Sequence, residues 1–151
     1  MANYIFLDSG PLSLACKGQN NNKAVRCRTW IAALRAKGYL VIVPEITDYE
    51  TRREFIRIPA PTWIAQLDAI SATSLLPITR AAILKAAEFW ALLRNTRMGT
   101  ADPKELDCDA ILAAQAITAA QPGDNVIIAT DNIGHLSRFP GITAQSWEYL
   151  T

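Results

Sequence analysis

The sequence predicts an α/β fold with a mostly parallel sheet. Short apolar runs of four or five residues alternate with longer stretches of helical spacing. One of these runs, Val126–Ala129, is continuously apolar, as in a strand covered on both faces. The length, 151 residues, suits one domain with a real core, and no linker, repeat or low-complexity segment divides it.

The elements follow in order. Tyr4–Leu7 reads as a buried strand ended by Asp8, and Ser9-Gly10-Pro11 breaks it. Residues 16–22 form a polar loop. Lys23–Lys37 is helical, with Gly38 as its stop, and Leu40–Val43 is a second strand closed by Pro44. Thr47–Ile58 is a helix with Thr47 as N-cap, and Pro61 opens another to Ser71. Leu75–Ile78 is a short strand whose Pro77 suits an edge. Thr79–Met98 is a long helix with a stripe of Ile83, Ala87, Trp90, Ala91 and Arg94. A polar connection, Gly99–Glu105, leads to an alanine-rich helix, Asp107–Ala120. A turn at residues 121–124 precedes the Val126–Ala129 strand. A short helix over Ile133–Arg138 and a last strand, Ile142–Ser146, complete the chain.

Half of the residues are hydrophobic and 19% are charged, which excludes a disordered chain. No apolar run is long enough to cross a membrane, so no membrane association is expected. The N-terminus lacks a basic segment and its apolar stretch stops at Asp8, so no secretory signal is expected either. Fifteen basic against 14 acidic residues leave a net charge of +1. Bulk charge therefore cannot hold a nucleic acid; local basic patches or a bound metal would have to neutralise its phosphates. Three cysteines without a CxxC pair rule out a disulfide framework and a cysteine-built zinc site, and fit a reduced, cytoplasmic protein. The single histidine, His135, excludes schemes that need two, and reads first as a structural residue.

The acids carry the chemistry. In an open α/β sheet ligands bind at the carboxyl ends of the strands. Asp8 ends the first strand, and Asp131 and Asn132 follow the strand that closes on Thr130. Glu50 lies early in the helix after the second strand, and Asp107 and Asp109 open the alanine-rich helix. Clustered carboxylates repel, so such a group calls for a cation. Each acid also has a plain structural role open to it. Asp8 could satisfy the Ser9-Gly10 turn, and Thr47-x-x-Glu50 matches a capping box. Asp107 could be an N-cap, Asp109 a charge on the helix dipole, and Asp131 a turn residue. Arg52 and Arg53, beside Glu50, form either a solvated face or a contact for RNA phosphates or an acidic partner. The four tryptophans read as core or interface.

Four stretches resemble PIN-domain proteins of the VapC toxin type. They are residues 4–9, ending in Asp8-Ser9; residues 43–53, with Glu50; residues 109–116, similar to the family's Asp-x-x-Ile-Ala-Ala-x-Ala, with Asp109; and residues 128–132, with its Thr-x-Asn/Asp ending. In the last, Asn132 falls two residues after Thr130 and Asp131 one residue after it, so either could face the site. Asp107 is an extra acid available as a helper. The resemblance covers nearly the whole chain and implies a single three-layer α/β/α PIN-like domain, residues 1–151, with a sheet of four to five strands.

It further implies a ribonuclease dependent on Mg²⁺ or Mn²⁺, the toxin of a type II toxin–antitoxin pair. Asp8, Glu50 and Asp109 would hold metal, Asp131 or Asn132 would hold a second metal or orient water, and Thr130 would position that end of the site. An RNA substrate, a small antitoxin partner and a homodimer are implied with it. The alternative within the fold is an inactive RNA-binding or protein-interaction module. A haloacid-dehalogenase-type phosphatase would need Asp-x-Asp, where Gly10 stands at the second position, and a dinucleotide-binding protein would need G-x-G-x-x-G after the first strand.

Overall fold

The structure, a computed structural model, describes residues 1–18, 20–96 and 103–150, the side chains of 103–105 excepted. Five strands form one sheet: β1 (Asn3–Leu7), β2 (Leu40–Pro44), β3 (Leu75–Leu76), β4 (Asn125–Thr130) and β5 (Ala144–Ser146). Their order is β3-β2-β1-β4-β5, and every pairing is parallel. Among the described residues seven α-helices connect and cover them: α1 (Ser9–Ala15), α2 (Asn22–Ala36), α3 (Glu45–Arg57), α4 (Pro61–Ser74), α5 (Arg80–Asn95), α6 (Pro103–Ala119) and α7 (Ile133–Leu136).

Alternation along β1 splits the core into two halves. Ile5 and Leu7 pack on one side with Leu12, Ile31, Leu34, Phe55 and Leu67, from α1 to α4. Phe6 packs on the other with Ala86, Phe89, Leu93, Leu112 and Leu136, from α5 to α7. The result is the expected three-layer α/β/α arrangement.

The order of the strands places the site. From β1 the chain steps outward through β2 to β3, then returns to the other side of β1 for β4 and β5. The direction reverses between β1 and β4, and the crevice at that switch point, beyond the carboxyl ends of the strands, is where open α/β sheets bind ligands. Leu7 pairs with Ala129 at the end of the β1–β4 ladder, so Asp8 and Thr130–Asn132 emerge side by side.

Several boundaries differ from expectation. The strand does end before Ser9-Gly10-Pro11, but these residues open a helix, α1. Asp8 is the N-cap, and Pro11 sits in the first turn, where a backbone N–H would have no helical partner. Helix α3 begins at Glu45 with Pro44 as its N-cap, so Thr47 is not a cap. Its buried hydroxyl donates to the Pro44 carbonyl (2.9 Å). Helix α6 begins at Pro103, which places Asp107 inside the helix and removes it as N-cap. Of the expected 99–105 connection, residues 103–105 belong to α6. The remainder, with residues 97 and 98 of the expected preceding helix, lies outside the described residues. On α5 the face turned to the core carries Ala82, Ala86, Phe89 and Leu93, while Ile83 and Trp90 of the expected stripe are exposed. Two apolar stripes share this helix, and the one with Ala82, Ala86, Phe89 and Leu93 faces the core shared with α6.

Candidate active site

A cleft of about 550 Å³ opens at the switch point. It is lined by Asp8, Ser9 and Gly10, by Glu50 and Arg53, by Cys108 and Asp109, and by Asp131, Asn132 and His135. Four separate chain segments thus bring one acid each to the same crevice.

Asp8 is fixed at both oxygens. Oδ1 accepts the Ser9 N–H (2.7 Å), capping α1, and Oδ2 accepts the Thr130 hydroxyl (2.7 Å). The expected alternative, that Asp8 satisfies the backbone at Ser9-Gly10, is met as a helix cap and coexists with its place in the cleft. Burial pushes the Asp8 carboxyl above its ordinary value, the Thr130 and Ser9 hydrogen bonds oppose this, and the Asp131 charge adds to it. Thr130 is fully buried and does not line the cleft; its Oγ1 also accepts the Asn132 N–H (2.8 Å).

Glu50 stands in the second turn of α3, not the first, so the capping box is excluded. Its carboxyl is pushed up to about 7, first by burial and then by the charges of Asp8 and Asp109; Arg53 and a hydrogen bond with Cys108 pull the other way. Gln115, buried on α6, ties this helix start to the Asp109 helix. Its Oε1 accepts the Ile46 N–H (3.3 Å), and its Nε2 donates to the Leu76 carbonyl (3.0 Å).

Asp109 lies in the second turn of α6, with Arg138 Nη2 at 3.8 Å and His135 Nδ1 at 3.9 Å from its Oδ2. Asp107 is exposed and lies outside the cleft, because helical rotation turns Cys108 and Asp109 inward instead. Asp131 and Asn132 both line the cleft. The Asp131 carboxylate rests against Gly10: a Cβ there would stand 2.5 Å from Asp131 Oδ2.

The two arginines part company. Arg52 is committed within the protein, to Asp48 (2.9 and 3.1 Å) and Asp68 (2.7 Å), and it does not reach the cleft, which corrects its expected availability for RNA. Arg53 lines the cleft, its guanidinium 4.9 Å from the Tyr49 ring centroid. Sequence reasoning passed over Ser9, Gly10 and Cys108 and took His135 as structural. Only the spacing of His135 from Asn132, one helical turn, signalled its position.

Carboxylate oxygens are the donors that hard divalent cations prefer, and the charges of Asp8 and Asp109, which raise the Glu50 carboxyl further after burial, are ones a cation would offset. Among the described residues no three His, Cys, Asp or Glu side chains already form a group able to hold a metal ion. The four carboxylates thus have the donor chemistry for such a cation and line one cleft, without meeting at a single metal-holding point. No helix of the described residues is long and apolar enough to cross a membrane.

No protein-family model matches the chain, and no curated protein matches it in sequence. Solved structures do. A chain of VapBC2 from Rickettsia felis, bound to a DNA fragment from its promoter, superposes with a TM-score of 0.73 at 15% identity, covering 95% of this chain and 98% of that one. A chain of FitAcB from Neisseria gonorrhoeae gives 0.68 at 18% identity over 97% and 99%. One of VapBC-1 from nontypeable Haemophilus influenzae gives 0.68 at 14% identity over 96% and 98%. The chain thus shares its PIN-like fold, over at least 95% of its length, with chains of the VapBC and FitAB complexes.

Proposed function

We propose that this protein is an endoribonuclease dependent on Mg²⁺ or Mn²⁺ and the toxin of a type II toxin–antitoxin pair. The observation that carries the reading is the convergence of Asp8, Glu50, Asp109 and Asp131, from four segments, on the switch-point cleft. A bound divalent cation would supply Lewis-acid activation of water and offset charge on the phosphoryl oxygens.

The protein's own groups supply the rest. Asp8, Glu50 and Asp109 are the metal-holding carboxylates, and Asp131 or Asn132 orients the attacking water. Thr130 and the Ser9 amide hold Asp8 to one orientation. Arg53, at the edge of the cleft, meets a backbone phosphate. In the hydrolysis a water oxygen bonds to phosphorus as the P–O3′ bond breaks, leaving a 5′-phosphate and a 3′-hydroxyl. The shared fold with VapBC and FitAB complexes supports a small antitoxin partner. A homodimer acting in the cytoplasm completes the proposal.

A second reading, an inactive RNA-binding or interaction module, is favoured by the lack of a ready three-ligand group among the described residues. Incubation with single-stranded RNA in Mg²⁺ or Mn²⁺, and in EDTA, separates the two. Metal-dependent cleavage leaving 5′-phosphate ends supports the nuclease; binding without cleavage in either metal supports the module.

A further inference from the structure

We propose that His135 is a substrate-binding residue that donates a hydrogen bond from Nε2 to a non-bridging oxygen of the RNA phosphate in the cleft. The inference rests on the nuclease reading and names a contact within it. The cleft holds four carboxylates, and its nitrogen donors come from Arg53, Asn132 and His135. Phosphate oxygens accept, so a phosphodiester entering it needs N–H groups to meet. Arg53 on α3 is one, and His135 on α7 is another.

The segment carrying His135 is held from both sides. The Asn132 N–H donates to Thr130 Oγ1 (2.8 Å), Arg138 Nε donates to the His135 carbonyl (2.8 Å), and Leu136 and Phe139 are buried in the core. The imidazole itself is 42% exposed beside Asp109. Its Nδ1 is 2.9 Å from Asn132 Nδ2. With the Asn132 amide nitrogen donating, Nδ1 accepts and the ring N–H at Nε2 is left to donate. Asp109 Oδ2, 3.9 Å from Nδ1, is beyond hydrogen-bond reach. Asn132 thereby sets the tautomer, and among the described residues the remaining N–H has no hydrogen-bond partner.

The test compares wild type with His135→Ala, His135→Gln and His135→Asn on a single-stranded RNA oligonucleotide in Mg²⁺. The affinity of the same fluorescein-labelled RNA is read in parallel by anisotropy in Ca²⁺. A Gln amide nitrogen reaches the position of Nε2; an Asn amide reaches only that of Nδ1. His135→Ala is expected to raise KM and weaken RNA affinity by about 5–10-fold, the worth of one hydrogen bond, with melting unchanged. Gln restores both to within about threefold and Asn does not. Unchanged KM and affinity in His135→Ala, or rescue by Asn as good as by Gln, overturns the proposal. If wild type binds RNA but does not cut it, the nuclease reading fails by itself. The anisotropy series then still judges His135: weakened binding in His135→Ala supports the contact, and unchanged binding overturns it.

Discussion

Thr130 Oγ1 donates to Asp8 Oδ2 across 2.7 Å, joining the carboxyl ends of two neighbouring parallel strands. The same oxygen accepts the Asn132 N–H, so one buried hydroxyl orients an acid on one side of the switch point and the backbone on the other. Thr130→Val keeps the shape and removes both bonds. The half-buried Asp8 carboxylate and the Asn132 amide then lose a partner, and the fold should lose about 1–3 kcal/mol. Cleavage should fall by roughly tenfold or more as Asp8 is freed to turn. Thr130→Ser should restore both. Thermal melting and initial cleavage rates check the outcome.

Gly10 and Asp131 make a second separable pair. A methyl group at Gly10 would stand 2.5 Å from Asp131 Oδ2, the end of a side chain able to swing away. Gly10 lies inside α1, where alanine is favoured over glycine by about 0.5–1 kcal/mol. Gly10→Ala should therefore melt no lower than wild type while cleaving RNA at least about tenfold more slowly, since the carboxylate leaves its place. Full activity in Gly10→Ala would show that the position of Asp131 is not used.

Glu50 gives a pH signature. Its folded carboxyl sits near 7, above the ordinary 4.5, so the folded protein holds this proton more tightly than the unfolded chain. Below about pH 4.5 the group is protonated in both states and costs nothing. As pH rises towards 7 the unfolded chain ionises first, stability falls, and above 7 the full penalty is present. In EDTA, Glu50→Gln should match wild type at low pH and exceed its stability by about 1–3 kcal/mol above pH 7. Denaturant titrations at pH 4.5 and 8 provide the comparison. The same variant should lose cleavage, which a capping residue would not.

Much of this arrangement was legible in the sequence because backbone rules govern it. Continuous apolar runs marked β1, β2 and β4, and an acid directly after a strand must emerge at the carboxyl edge, which placed Asp8 and Asp131. The errors have equally local causes. Pro11 looked like a breaker, yet the first helical turn tolerates proline, so α1 was missed. Thr47-x-x-Glu50 fits a capping box by spacing, but the strand runs straight into α3 at Glu45 and carries the pattern a turn too deep. Arg52 and Arg53 are indistinguishable as neighbours; only the position of Asp68 on α4 shows that Arg52 is consumed by a structural network. Cys108 and His135 enter the cleft through the docking of α6 and α7, long-range packing that no periodicity encodes.

The most direct test of the central claim is a paired cleavage assay of wild type and Asp109→Asn. The substitution is nearly isosteric and removes one charge from a cluster whose members repel, so the fold should survive it. Both proteins are incubated with RNA in Mg²⁺ or Mn²⁺ and again in EDTA. The account predicts cleavage by wild type alone, abolished by EDTA, with Asp109→Asn folded and inactive. Equal cleavage by the two proteins, or cleavage that persists in EDTA, would contradict it.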